Sequence, residues 1–188
     1  MQKIKVAQIG IGHNHGSEKM ASLRRLSDVF DVVAVAEDDP LWRGKRQGFP
    51  EYAGLEWMSE DEILGIPGLQ AVTVEKNDPG LVATARKCAE RGLHMHMDKP
   101  GGETLPPFQE LLDACGRNKA AIQLGYMYRY NPAILFIRDA LRKGWLGDIF
   151  EIHAVMSRYD GQDYRNWLSS FKGGAMYIFG GHLIDIII

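Results

Sequence analysis

Between residues 4 and 125, short apolar runs alternate with segments of helical rhythm. Ile4–Ile9 (IKVAQI) halts at Gly10, Phe30–Ala36 (FDVVAVA) halts at an acidic stretch, and 69–74, 93–97 and 121–125 are of the same kind. Continuous apolar runs of this length suit strands buried on both faces, as parallel strands are. Helices are expected between them. Over 17–27, Met20, Leu23 and Leu26 recur at threes. A short helix is expected over 41–47. Residues 59–64 open on Ser59 with Glu62 three residues later, the pattern of a capping box. Residues 79–91 put Val82, Ala85 and Ala89 on one face and stop at Gly92. Leu105–Asn118 completes the set. This succession predicts an α/β fold: a Rossmann-type doubly wound parallel sheet with helices on both faces and right-handed crossovers.

The character changes after Tyr130. A helix is expected over 132–143, where Ile134, Ile137 and Leu141 share a side. Residues 149–158 (IFEIHAVMSR) alternate in part and read as a strand of a new sheet. Residues 159–172 read as a polar and aromatic loop, and an apolar stretch then runs from Gly173-Gly174 to Ile188. The expected organisation is a dinucleotide-binding domain over 1–125 and, over 126–188, the start of a truncated α/β open-sheet domain. A terminal helix burying its apolar face is the other reading of the last stretch.

Charge and cysteine content narrow the partners. The formal net charge is −2, with both signs mixed along the chain. That excludes a dedicated nucleic-acid or acidic-lipid surface. No run approaches the ~20 apolar residues of a membrane span, and the N-terminus lacks the pattern of a signal peptide. Cys88 and Cys115 lie in helical sequence with no CxxC pairing, so neither a disulfide framework nor a zinc ribbon is expected. A cytoplasmic protein is expected.

Gly10-Ile11-Gly12-His13-Asn14-His15-Gly16 lies between the first strand and the first helix. Gly10 permits the tight turn, Gly12 lets a pyrophosphate approach the backbone, and the helix N-terminus offers N–H groups to phosphates. The common form is G-x-G-x-x-G; here the third glycine comes one residue late, and a glycine turn without a ligand is the alternative. Glu37 ends the second strand, 25 residues beyond Gly12. A carboxylate there can accept from both adenosine ribose hydroxyls and repels a 2′-phosphate, which favours NAD over NADP. Asp38 and Asp39 deepen the bias, while Arg43 and Lys45 soften it. A solvated loop carboxylate is the other reading of Glu37.

Two further constellations carry chemistry. Asp98-Lys99-Pro100 closes the fourth expected strand, at the end where doubly wound sheets bind ligands. Lys99 there can hydrogen-bond a substrate hydroxyl and stabilise a developing alkoxide; a surface lysine in a turn is the alternative. His182 and Asp185, three apart, share a helix face, and an imidazole suits general acid–base work; a surface His–Asp pair is the alternative. His13/His15 and His94/His96 form two H-x-H pairs. No cysteine or carboxylate completes a metal set by spacing, so no metal is expected.

Together, VAQIGIG at 6–12, VVAVAE at 32–37, DKP at 98–100, GYMYRYNP at 125–132 and GGAMYIFGGHLID at 173–185 resemble the N-terminal half of the Gfo/Idh/MocA family, the glucose–fructose oxidoreductase and inositol dehydrogenase group. The family writes EKP where this chain has DKP. The resemblance implies a nicotinamide-dependent oxidoreductase acting on a sugar, polyol or related small molecule, working as a homodimer or homotetramer. It implies that Lys99 and His182 are catalytic. Gly10, Ile11, Gly12, His13, Asn14, His15, Glu37, Asp98, Lys99 and Pro100 would then meet the cofactor. Tyr128, Arg129, Asn131 and Asp185 would meet substrate.

Three departures weigh against turnover. Ile178 stands where many family dehydrogenases have an aspartate one helical turn before the histidine. Glu75-Lys76-Asn77-Asp78 replaces a Thr-Pro-Asn segment along the cofactor, and family members run well beyond the 188 residues here. A non-catalytic nucleotide-binding regulatory homologue, or an inactive fragment of a longer dehydrogenase, therefore stands beside the enzyme reading.

Overall fold

The computed structural model describes residues 2–77 and 80–188. The chain divides into two compact units, Met1–Gly125 and Tyr126–Ile188.

The first unit is built on six strands: β1 (Ile4–Ile9), β2 (Phe30–Ala36), β3 (Trp57–Met58), β4 (Ala71–Val74), β5 (His94–Met97) and β6 (Ile122–Leu124). All pair in parallel, in the order β3-β2-β1-β4-β5-β6. This is the doubly wound topology, whose order reverses between β1 and β4. Helices α1 (Gly16–Arg25), α2 (Pro40–Arg46), α3 (Glu60–Leu64), α4 (Leu81–Glu90) and α5 (Leu105–Asn118) connect the strands. The larger core joins the sheet to α4 and α5 through Val72, Val74, Leu81, Met97 and Leu111, all fully buried or nearly so. Ile11, Met20, Val35 and Tyr52 form the smaller core by α1. Cys88 and Cys115 are buried free thiols on α4 and α5.

Local signals account for the element ends. Ser59 caps α3 as its sequence predicts. Its hydroxyl accepts from the Glu62 N–H at 3.3 Å, and the Glu62 carboxylate accepts from the Ser59 N–H at 2.7 Å. Asp39 caps α2 by accepting from the Leu41 N–H at 2.8 Å, with Pro40 at the first helical position. The expected start of the fourth helix at Pro79 lies outside the described residues; α4 runs from Leu81. β3 was not expected: two residues are too few to show a period, and Trp57 and Met58 pair only with Val35 and Ala36.

The second unit is helical: α6 (Pro132–Arg142), α7 (Gln162–Ser169) and α8 (Gly181–Ile187), with a wider π-type turn, Met176–Gly180, leading into α8. Two expectations are corrected here. The strand over 149–158 is absent, since 149–161 has no regular structure. Phe150 and Val155 are 96% and 83% exposed, and a strand without a paired neighbour does not hold. The loop expected over 159–172 contains α7. Tyr164, Trp167 and Phe171 stack in sequence, and Leu168 is buried among the same turns. Among the described residues, no helix is long and apolar enough to cross a membrane.

Candidate active site

The carboxyl ends of β1, β4 and β5 bring three segments together: the glycine loop, Glu75 and Asp98. Backbone bonds lock the loop to the sheet. The Gly10 N–H donates to Ala36 O at 2.7 Å, and the His13 N–H to Glu75 O at 2.8 Å. Gly10 has φ +91°, and an added Cβ would run into the Lys76 backbone, so both conformation and space require glycine.

Arg46 of α2 fastens the loop from the other side, its guanidinium donating to Ile11 O at 2.8 Å and to His13 O. The Trp42 ring lies against Gly12: an added Cβ there would stand 3.1 Å from Trp42 and 3.0 Å from the Asn77 N. Gly12 thus makes room for the chain's own residues as well as for any phosphate. The amides of Ile11, His13, His15 and Gly16 all have acceptors. Those of Gly12 and Asn14 have none among the described residues.

Glu37 is buried, which removes the reading of a solvated loop carboxylate. Its Oε2 accepts from the Ile11 N–H at 2.8 Å and its Oε1 from the Asp39 N–H at 3.1 Å. A carboxylate offers about four lone-pair positions, so acceptor capacity remains. Arg43 stacks over Trp57, and Lys45 over Trp42, at 4.9 and 5.0 Å from the ring centres. This loop, with unpaired amides, a helix N-terminus and an adjoining acceptor, suits the pyrophosphate and ribose of a dinucleotide.

Beneath the loop lies a cluster that spacing alone could not show. Asp98 Oδ2 is 2.8 Å from His15 Nδ1 and 3.1 Å from His13 Nδ1. Its Oδ1 accepts from the Lys99 N–H at 2.7 Å. Burial works against the Asp98 charge, but the two imidazoles outweigh it and hold this carboxyl well below the usual range. Glu75 is fully buried, and its Oε2 lies 3.9 Å from His13 Nδ1. Burial, and then the negative charge of Asp98, pushes the Glu75 carboxyl well above its usual range. Gly125 stands over Asp98: a Cβ there would be 2.7 Å from Oδ1. Of the charged segment after β4, Glu75 turns into this cluster. Lys76 turns to Glu60 and Asp38, at 2.7 and 3.7 Å, and Asp78 lies outside the described residues.

Lys99 is buried, not a surface lysine, and its peptide bond to Pro100 is cis. His94 and His96, two apart on β5, differ in exposure. His94 is exposed, and its Nδ1 accepts from the Ala121 N–H at 3.0 Å. Burial pushes His96 down to about 4, so it is neutral at pH 7.

In the second unit, His182 and Asp185 both lie on α8, as their spacing predicts. His182 is buried, with the rings of Tyr126 and Tyr128 edge-on to it at 5.7 and 5.0 Å. Asp185 is gripped by Arg129, whose Nε lies 2.7 and 2.8 Å from its two carboxylate oxygens. Asn131 caps α6, its Oδ1 accepting from the Ala133 N–H at 2.9 Å. Ile178 is buried in the π-type turn. Sequence reasoning missed Arg46, Trp42 and Tyr126; a helix after the second strand whose last turn carries Arg43, Lys45 and Arg46 was the available signal for the first.

No family model matches the chain. It is 31% identical to the rhizopine catabolism protein MocA of Rhizobium meliloti over 185 residues, 98% of this chain and 56% of that protein. It is 28% identical to inositol 2-dehydrogenase 1 of Saccharopolyspora erythraea over 128 residues, 66% of this chain and 37% of that protein. Its fold matches an NAD-binding protein from Listeria innocua with TM-score 0.75 at 19% identity, covering 99% of this chain and 54% of the other. A structure from Desulfitobacterium hafniense, assigned as an NADPH-dependent oxidoreductase, matches with TM-score 0.82 at 19% identity, over 100% and 54%. The chain spans about half the length of the curated relatives it matches.

Proposed function

This chain belongs with the Gfo/Idh/MocA oxidoreductases, one of which it matches over 98% of its own length, and we propose that it binds a nicotinamide dinucleotide, NAD in preference to NADP, in the service of a sugar or polyol oxidoreductase. The observation that carries the reading is the pairing of a glycine loop, whose Gly12 and Asn14 amides have no acceptor among the described residues, with a buried Glu37 one strand away. The inositol dehydrogenase among the relatives supports the polyol class.

Each residue then has a task. The Gly12 and Asn14 amides and the N-terminus of α1 hold the phosphates, and Arg46 keeps the loop in shape. Glu37 accepts from the adenosine ribose and repels a 2′-phosphate. The bound nicotinamide supplies or accepts the hydride. Lys99 donates to the substrate oxygen and stabilises charge developing there. The His182 imidazole takes or returns the hydroxyl proton, positioned by Tyr126 and Tyr128 in place of the carboxylate that Ile178 lacks. Arg129 and Asp185 act as a pair at the substrate.

Ile178 and the Arg129–Asp185 pair also favour a second reading, nucleotide binding without turnover. Fluorescence titration of the chain with NADH and with NADPH tests the first step. Saturable binding, tighter for NADH and weakened roughly tenfold in Glu37→Gln, is expected from loss of a charged hydrogen-bond acceptor. Binding of neither nucleotide, or tighter NADPH binding, would overturn the reading. Nucleotide binding with no NADH formed from NAD and any polyol tested, in a protein of the relatives' length, would select the second.

A further inference from the structure

The cluster under the glycine loop has the composition and spacing of a metal centre. It gathers an imidazole nitrogen from each of His13 and His15 and a carboxylate oxygen of Asp98 within 4.8 Å of one another, with both Nδ1 atoms at 3.1 Å or less from Asp98 Oδ2. It is the one such group of three or more among the described residues. A fourth candidate ligand atom, Glu75 Oε2, lies 3.9 Å from His13 Nδ1.

Glu75 is the independent sign of a missing partner. It is fully buried, and no N–H or O–H donor reaches either of its oxygens among the described residues. A fully buried carboxyl group, charged or protonated, normally has hydrogen-bond partners. Among the described residues, neither Glu75 nor Asp98 forms an ion pair with a lysine or arginine, although the more distant Lys19 charge acts on Glu75. His13 Nδ1 also lies 3.4 Å from the His15 backbone N–H. In the neutral form with its proton on Nε2, that nitrogen has a lone pair to offer a cation. A cation among these atoms would satisfy all of them at once.

The edges of the cluster set the size of that cation. Ligands about 2.0–2.1 Å from a tetrahedral ion stand about 3.3 Å apart. Three of the six edges, at 2.8, 3.1 and 3.9 Å, straddle that value. Two nitrogens with two carboxylate oxygens suit zinc and its first-row neighbours; magnesium and calcium prefer an all-oxygen set. We propose that His13, His15, Asp98 and Glu75 bind one zinc-class divalent cation, which ties the glycine loop to the ends of β4 and β5.

This proposal stands apart from the nucleotide reading, because its test contains no nucleotide. The untagged chain is stripped with EDTA, dialysed and titrated with Zn²⁺ against a chelating indicator, then with Co²⁺ by absorption. One zinc per chain and an intense tetrahedral cobalt spectrum are expected. His15→Ala and Glu75→Gln should each weaken zinc by at least about tenfold, the lower bound for merely supporting residues. His153→Ala, at an exposed histidine of the second unit, should leave it unchanged. Circular dichroism checks the fold of each variant. Histidine NMR of the unaltered chain gives a readout free of variants: the His13 and His15 ring signals should shift with one equivalent of Zn²⁺. Substoichiometric binding, unmoved His13 and His15 signals, or equal affinity in the folded variants would overturn the site.

Discussion

Glu60 shows how far a single carboxylate can depend on its neighbours. It is buried at the start of α3, with Lys76 Nζ and Lys87 Nζ each at 2.7 Å and the Thr84 hydroxyl at 3.1 Å. Burial alone would raise its pKa, but the two ammonium groups and the hydroxyl outweigh burial and hold it below the usual range. A carboxyl whose pKa drops on folding stabilises the native state above its unfolded value of about 4.3, and that contribution fades as pH falls through the folded value. Glu60→Gln should therefore lower the urea midpoint at pH 7, and the gap to the parent should close as acid protonates Glu60. A gap of constant size from neutral pH into acid would mean that Glu60 contributes packing and not charge. None of these partners is near Glu60 in sequence, and nothing in the chain announced them. The positions of Glu37 and Lys99 were legible for the opposite reason, because each lies just past a strand end.

At the scale of elements, legibility follows length and local chemistry. The Ser59 box was readable because its two hydrogen bonds lie within four residues. Ser59→Ala should cost about 1 kcal/mol, measured as a shift in chemical denaturation. A loss under about 0.3 kcal/mol would mean that packing of Ile63 alone holds α3. The two residues of β3 could show no period. Helix α7 was hidden by its polar composition, although Tyr164, Trp167, Leu168 and Phe171 recur at helical intervals. The strand expected over 149–158 failed because alternation describes a face, and a face forms only against something. The His–Asp cluster was invisible for a related reason: the loop that carries its imidazoles and the strand that carries Asp98 meet only once the sheet is assembled.

The whole molecule divides stability unevenly. The first unit contains all six strands and both buried apolar clusters, whereas 149–161 in the second has no regular structure and exposes Phe150 and Tyr159 at 96% and 92%. Cleavage by proteases concentrates where backbone is unpaired and accessible. Brief chymotrypsin treatment should cut first at Phe150 and Tyr159 and release a resistant product that contains residues 1–125. First cuts within β1 to β6 would show that the sheet opens more readily than its burial implies.

The ladder between β4 and β5 has one more consequence. Val74 pairs with Met97, and the two acids are simply the next residue on each strand. The pairing therefore sets their backbones side by side before any rotamer is chosen. A slip of β5 by a single position turns Asp98 to the opposite face and brings Met97 or Lys99 into its place. A molecule joined one residue out of step would turn Met95 and Met97 away from the core and lose both imidazole partners of Asp98 together. The cluster thus acts as an internal check on assembly: its presence certifies that the two strands met in the right order.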